Sequence, residues 1–244
     1  LDLTDIESPL LQRLSSEAPG TWEHSRSMAN LAEAAAAAIG ADPLLTRVGA
    51  YYHDVGKTVQ PKYFVENLTP GEASPHNDLA PEVSADAIMA HVVLGTRMLR
   101  EAGVPEPVVE FCYTHHGTQL VEFFWNKYLE EHGLKDLPAD QSVDRPSRKT
   151  EDHFRYPGMK PQTKETAILM LVDSVEAASR TVSPAEYDKF EEMIRRVIFT
   201  KLAAGQLDDC GLRMDDLRIL INRLATTLVN VYHARIKYPW QRQQ

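Results

Sequence analysis

Only two cysteines occur in 244 residues, Cys112 and Cys210, and they stand far apart and outside any paired motif. This excludes a disulfide framework and a thiolate metal site, and it suits a reducing cytoplasm. No run reaches the roughly 18 apolar residues of a membrane span. The first residues do not have the charged-then-apolar pattern of a leader, and none is expected in them. Because the chain begins at Leu1 and not at methionine, it is expected to be the excised domain of a longer protein. Basic residues are in deficit too: 26 Lys and Arg against 35 Asp and Glu give a formal net charge of -9. Such a surface lacks the clustered cations that duplex nucleic acid or anionic lipid demands. An anionic substrate would need local cations, and bound metals could supply them.

Alternating apolar and polar runs, the mark of half-buried strands, are scarce, whereas apolar residues recur at helical spacing almost throughout. An all-α domain spanning 1–244 is therefore expected. One helix runs from Thr21 through Leu31 to Ile39 and stops at Gly40, a residue suited to the left-handed cap. Further helices are expected near 43–55, 84–102, 106–116, 121–132, 163–182, 184–203 and 212–236. Ser84 and Thr163 are expected N-caps, since a short hydroxyl accepts from unpaired first-turn amides. Two stretches interrupt the pattern. Residues 66–83 carry Pro70, Gly71, Pro75 and Pro81, and 133–162 is long, polar and proline-bearing. A connection of that length inside a compact domain is usually functional or disordered.

Chemistry concentrates in His24, the pair His53-Asp54, His91, the pair His115-His116, and Asp173, each inside or at the end of an expected helix. Helices facing one another across a bundle commonly build metal sites from such groups. Imidazole and carboxylate suit iron, manganese, zinc or nickel, and the lack of cysteine ligands argues against a structural zinc. A single helical histidine is more often a surface or satisfied core residue, and His76, His132, His153 and His233 keep that reading. The joint order of His-Asp, an isolated His and His-His is what raises the odds.

These residues resemble the HD superfamily of metal-dependent phosphohydrolases, whose name is the pair seen here as His53-Asp54. The resemblance extends to Ala18-Pro19-Gly20-Thr21, to the run from Arg47 through His53-Asp54-Val55-Gly56-Lys57, to His115-His116-Gly117-Thr118, to Phe154-Arg155-Tyr156-Pro157-Gly158 and to Gly205-Gln206-Leu207. Together these motifs are similar to those of the seven-transmembrane HD phosphodiesterase family over nearly the whole chain. In that family an extracellular region and seven membrane helices precede a cytoplasmic HD domain that degrades cyclic di-AMP to linear pApA. The resemblance thus implies an HD-domain helical bundle with a dinuclear metal site in its interior, the cytoplasmic part of a membrane-anchored bacterial protein. Residues 1–20 would be the linker and first helix leading from the absent membrane region. Glu23-His24 stands where family members often have two histidines, and the ligand role is carried to His24. Trp22 replaces a usual tyrosine and Met159 a common proline.

By the same resemblance two divalent transition metals, iron or manganese, are implied. His24, His53, Asp54 and Asp173 would hold one, and Asp54, His91, His115 and His116 the other, with Asp54 bridging. A metal-bridging hydroxide would attack phosphorus and expel the 3′ oxygen. Lys57, one helical turn from the pair, is expected to contact phosphate or relay a proton, which makes Asp54 and Lys57 the catalytic candidates. The 133–162 loop is expected to recognise substrate through Arg155, Tyr156 and Lys160, because Arg offers a planar fork and Tyr a stacking face. Gly117 and Thr118 would admit the second phosphate. Glu176 and Arg180 read first as an i,i+4 ion pair and second as support for the metal site. Phe123, Phe124 and Trp125 read as core or interface. The expected partner is a cyclic dinucleotide, cyclic di-AMP in preference to cyclic di-GMP; membrane contact is expected only through the upstream region, and homodimerisation is left open. Competing readings are a diiron oxygenase, a nucleotide or alarmone phosphohydrolase, and a sensor that binds without cleaving.

Overall fold

The computed structural model describes residues 3–135 and 147–234. Proline does much to set where helices begin. It stands in the first turn of α1 (Pro9–Glu17), α2 (Pro19–Ala38), α3 (Pro43–Tyr52) and α4 (Pro81–Glu101), where its fixed φ fits and its missing N–H costs nothing. Asp42 caps α3 by accepting from the Leu45 amide at 3.0 Å. The remaining helices are α5 (Glu106–Thr114), α6 (Glu122–Glu131), α7 (Arg148–His153), α8 (Lys164–Ser179), α9 (Tyr187–Ala203) and α10 (Met214–Ala234). Among the described residues there is no strand, only one isolated antiparallel bridge between Leu120 and Arg155. The expected all-α class holds.

Thr163 caps α8 as expected, in a reciprocal box with Thr166. Ser84 does not cap α4. The helix starts a turn earlier because Pro81 is preorganised for the first helical position, which leaves Ser84 buried on the inner face. The helix expected over 43–55 ends at Tyr52, and His53-Asp54 fall in a turn that leads into a tight helical segment, Val55–Val59. The proline-rich 66–83 stretch holds short 3-10 turns until α4 begins at Pro81. Part of the expected 133–162 loop is helical, as α7, while 136–146 lie outside the described residues, as do 235–236 of the last expected helix.

Helix α8 is the axis of the molecule. Ala167, Ile168, Leu169, Met170, Leu171, Val172 and Val175 are all fully buried, the pattern of a helix that meets protein on every side. It touches α2, α3, α5 and α9, and it carries Asp173 into the middle of the bundle. A smaller apolar cluster of Ala85, Met89, Val121, Phe124 and Phe154, with Trp125 packed against it, lies beside the main core. Phe124 and Trp125 are thus core as expected, while Phe123 is 72% exposed.

The turn after α3 packs directly on α4. A Cβ on Gly56 would stand 2.0 Å from the His91 carbonyl oxygen and 2.6 Å from the Gly95 amide nitrogen. Backbone meets backbone there, so no flexible side chain could yield. Gly56→Ala is therefore expected to destabilise the fold by about 1–3 kcal/mol, the usual cost of overpacking, and to weaken metal binding by displacing α4 at His91. Urea unfolding alongside metal titration measures both. Wild-type values for both would show that the two segments part freely.

Candidate metal centre

The seven singled-out residues arrive from five helices and converge. His24 sits in α2, His53 and Asp54 at the end of α3, His91 mid-way along α4, His115 and His116 just past α5, and Asp173 in α8. Asp54 is the middle of the cluster. Its Oδ1 lies 3.3 Å from His91 Nε2 and 3.5 Å from His115 Nε2. Its Oδ2 lies 3.2 Å from His53 Nε2 and 2.8 Å from Lys57 Nζ. Ligand atoms of His91, His115 and His116 come within 4.8 Å of one another, and so do those of His24, His53 and Asp173. A third such group, His53, Asp54 and His115, joins the two.

The tautomers can be argued from the backbone. The Nδ1–H of His53 donates to the Ala50 carbonyl at 2.9 Å, that of His91 to Ile88 at 2.6 Å, and that of His115 to Cys112 at 2.7 Å. Neutral imidazole carries one proton, so each of these rings presents a bare lone pair at Nε2. The Nε2 atoms of His91 and His115 nevertheless face each other at 3.2 Å, and His53 Nε2 and Asp54 Oδ1 are buried without a hydrogen-bond partner. Convergent buried lone pairs are unfavourable by themselves and are what a cation requires. The cluster has the chemistry of a divalent metal site.

Electrostatics agree. Burial pushes the His91 pKa down to about 3, and burial also holds His116 well below its ordinary range, so both rings are neutral. For Asp54 burial favours the acid, but His53 and Lys57 outweigh it and hold the carboxyl well below 3.8. Asp173 is lowered too, its burial overcome by His24 and His116. His24 behaves differently. Burial lowers its pKa, but Asp173 and Glu176 dominate and raise it to about 9, with Glu176 Oε2 at 2.7 Å from Nδ1 and Asp173 Oδ1 at 3.1 Å from Nε2. Glu176 therefore orients His24 as well as pairing with Arg180, so the simple ion pair favoured from spacing covers only part of its role.

Lys57 does not stand free. Its ammonium is held between Asp54 at 2.8 Å and Glu66 at 2.9 Å. Burial disfavours the charge, but the two carboxylates outweigh it and keep the pKa above the ordinary lysine value. In this arrangement the ammonium is engaged by two carboxylates, and its geometry serves to fix Asp54. Glu66, which also accepts from Thr21 Oγ1 at 3.2 Å, was not foreseen, because it folds back from the proline-rich stretch where no periodic signal exists.

The expected substrate contacts divide. Tyr156 stacks on His116 with ring centroids 4.2 Å apart. Arg155 is taken up by Glu151 and Asp152 and donates to the Thr118 carbonyl at 3.3 Å. Lys160 pairs with Asp208 at 3.2 Å. Gly117 has a φ of +56°, and a Cβ there would lie 2.2 Å from Gln206 Oε1; the Thr118 amide donates to that same oxygen at 3.0 Å. Gly117 and Thr118 thus close the loop onto Gln206, and Arg155 and Lys160 are held by carboxylates, so of the five only Tyr156 reaches the cluster. One cavity of about 990 Å³ opens at the His24 end, beside Glu66 and Arg180. Another of about 450 Å³ opens at the His116 end, beside Tyr156.

A buried His-Asp pair with further histidines and a distant aspartate, gathered in a helical bundle, is the arrangement of an HD domain, and the comparisons agree. The HD domain family model matches residues 21–178, and the chain belongs to the HD domain family. It is 42% identical over 239 residues to the cyclic-di-AMP phosphodiesterase PgpH of Bacillus subtilis, covering 98% of this chain and 32% of that protein. PgpH of Listeria monocytogenes is 41% identical over 239 residues, with 98% and 31% covered. The chain therefore spans about a third of the length of these curated relatives. The crystal structure of the L. monocytogenes PgpH HD domain matches with a TM-score of 0.81 at 40% identity, covering 93% of this chain and all of that one. The same domain in complex with cyclic-di-AMP matches with a TM-score of 0.82.

The titrations set a pH profile for the metal-free protein. His24, raised from 6.5 to about 9, contributes stability that is complete below 6.5 and lost as pH climbs through 9. His91, lowered from 6.5 to about 3, contributes stability present above 6.5 and lost as pH falls, with His116, Asp54 and Asp173 acting in the same sense. The thermal midpoint is expected to peak near neutrality and fall on both sides, and His24→Asn is expected to flatten the alkaline limb. An alkaline limb unchanged in His24→Asn would refute the assignment.

Proposed function

We propose that this chain is the hydrolytic domain of a larger cyclic di-AMP phosphodiesterase and opens the ring to linear pApA. The observation that carries the reading is the pair of disjoint ligand trios set on either side of Asp54, in a chain 40% identical to an HD domain solved with cyclic-di-AMP. Two divalent transition metals, iron or manganese, fit this donor set of imidazoles and carboxylates. His24, His53, Asp54 and Asp173 would hold one, and Asp54, His91, His115 and His116 the other. When bound, such a pair supplies positive charge at phosphate and lowers the pKa of water.

The protein's own part is orientation. Ala50, Ile88 and Cys112 carbonyls lock three rings with Nε2 inward, Glu176 turns His24, and Lys57 holds Asp54 as a carboxylate whose two oxygens face different trios. Water adds across the P–O3′ bond, so the 5′-phosphate stays on the product and the 3′ oxygen leaves as a hydroxyl. Tyr156 of the 133–162 segment would meet substrate, a reading supported by its stacking on His116 and its position in the lining of the cavity at that end. The relatives' greater length supports a larger protein around this domain; by the motif resemblance that remainder would anchor the domain to a bacterial membrane, with residues 1–20 leading into one cytoplasmic domain. No described helix is itself long and apolar enough to cross a membrane.

The test is a product chromatogram from manganese- or iron-loaded protein incubated separately with cyclic di-AMP and cyclic di-GMP. pApA is expected, with a higher kcat/KM for the adenine ring. A single wrongly matched buried polar group at the purine edge costs about 1–3 kcal/mol, so the preference should be roughly 5- to 150-fold. Asp54→Ala is expected to abolish turnover and to lower the metal content of the protein. No pApA from fully loaded wild type would sink the reading, and wild-type kcat in Asp54→Ala would sink the central role of Asp54.

A further inference from the structure

The cations around the cluster are nearly all accounted for. Lys57 is held by Asp54 and Glu66, Arg155 by Glu151 and Asp152, Lys160 by Asp208, and Arg180 by Glu176. Lys201, in the last turn of α9, is the exception. It is half-buried, and among the described residues its ammonium bonds only to the neutral Oε1 of Gln119 and pairs with no carboxylate. Burial pushes its pKa below the ordinary lysine value, although Asp173 and Glu122 pull the other way from beyond contact.

A desolvated cation without a carboxylate is costly. Its position gives it a use. Lys201 lines the cavity of about 450 Å³ at the His116 end, together with Tyr156, Ser174 and Arg196. Tyr156 is stacked on His116, and Ser174 directly follows Asp173, so this cavity adjoins the cluster. Arg196 reaches no closer than 3.8 Å to its nearest carboxylate, Glu192, and stands at the exposed rim. A cyclic dinucleotide carries two phosphodiesters, and while one is at the cluster the other keeps its charge and needs a cation of its own.

We propose that Lys201 binds a non-bridging oxygen of the substrate's second phosphodiester, the one not seated at the cluster, with Arg196 reinforcing it at the mouth of the cavity. This rests on the cyclic dinucleotide reading above. Lys201 is then the substrate-binding cation that the sequence comparison of motifs assigned to Lys57, Arg155 and Lys160. It is kept free of internal carboxylates so that an external anion completes it.

The experiment compares wild type, Lys201→Gln and Lys201→Arg. With cyclic di-AMP and metal-loaded protein, Lys201→Gln is expected to raise KM roughly 10-fold or more, the loss of one charge-assisted hydrogen bond, with kcat held within about 3-fold. Lys201→Arg is expected to recover most of the affinity, because it restores the charge. A second arm heats the metal-free proteins with and without inorganic phosphate. Lys201→Gln should unfold no earlier than wild type, since it removes a charge with no carboxylate to lose, and phosphate should stabilise wild type more than the variant. Unchanged KM in Lys201→Gln with pApA still formed overturns the Lys201 role alone. Absence of pApA from wild type overturns the substrate reading, and the phosphate arm then decides whether Lys201 is an anion site. Equal phosphate stabilisation of both proteins, or a variant that unfolds early and is not rescued by arginine, shows a structural lysine.

Discussion

One buried carboxylate sets the terms for the rest of this molecule. Asp54 lies in the bundle interior with one oxygen among the Nε2 atoms of His91 and His115 and the other between His53 and Lys57. A charge in that position must be surrounded by groups that answer it. The answering groups come from helices far apart in sequence, so the bundle has to close in one register for them to meet. The close approach of Gly56 to α4, the fully buried α8 and the fold-back of Glu66 onto Lys57 all serve that closure.

Burial and tautomer divide the labour around it. Three histidines spend their Nδ1 protons on carbonyls of their own helical turns, so these hydrogen bonds need no distant partner. His24 is different, because its proton faces Glu176 on α8 across a gap of 152 residues. The ligand group containing His24 therefore depends on the packing of α2 against α8, whereas His91, His115 and His116 depend on the seating of α4 against α5.

Much of this was legible in the sequence because pairs such as His53-Asp54 and His115-His116 sit at helix ends, where periodic apolar residues stop and side chains can turn inward. The seven residues singled out from that pattern are the ones the fold brings together. Helix positions were legible for the same periodic reason, and their starts were misjudged where proline overrode a hydroxyl cap, as at Pro81 against Ser84. What could not be read was pairing across irregular chain. Glu66 reaches Lys57 out of a run of 3-10 turns with no period, and Asp208 takes Lys160 from 48 residues away. A cation's motif gives its place in the chain but not its counter-ion, so Lys57, Arg155 and Lys160 looked available while Lys201 drew no notice.

The stacking of Tyr156 on His116 has a consequence for how such a domain can change over evolutionary time. Tyr156 lines the cavity at the His116 end, and His116 belongs to a histidine group that could hold a metal ion. Their rings are in contact, and the Tyr156 amide is anchored to the Gln119 carbonyl at 2.9 Å, three residues beyond His116. A new loop grafted there for a different base would remove one wall of a histidine it was not meant to touch. Changes in that segment are thus tied to the geometry of the histidine cluster, and a lineage that remodels the loop must do so in steps small enough to keep that ring in place.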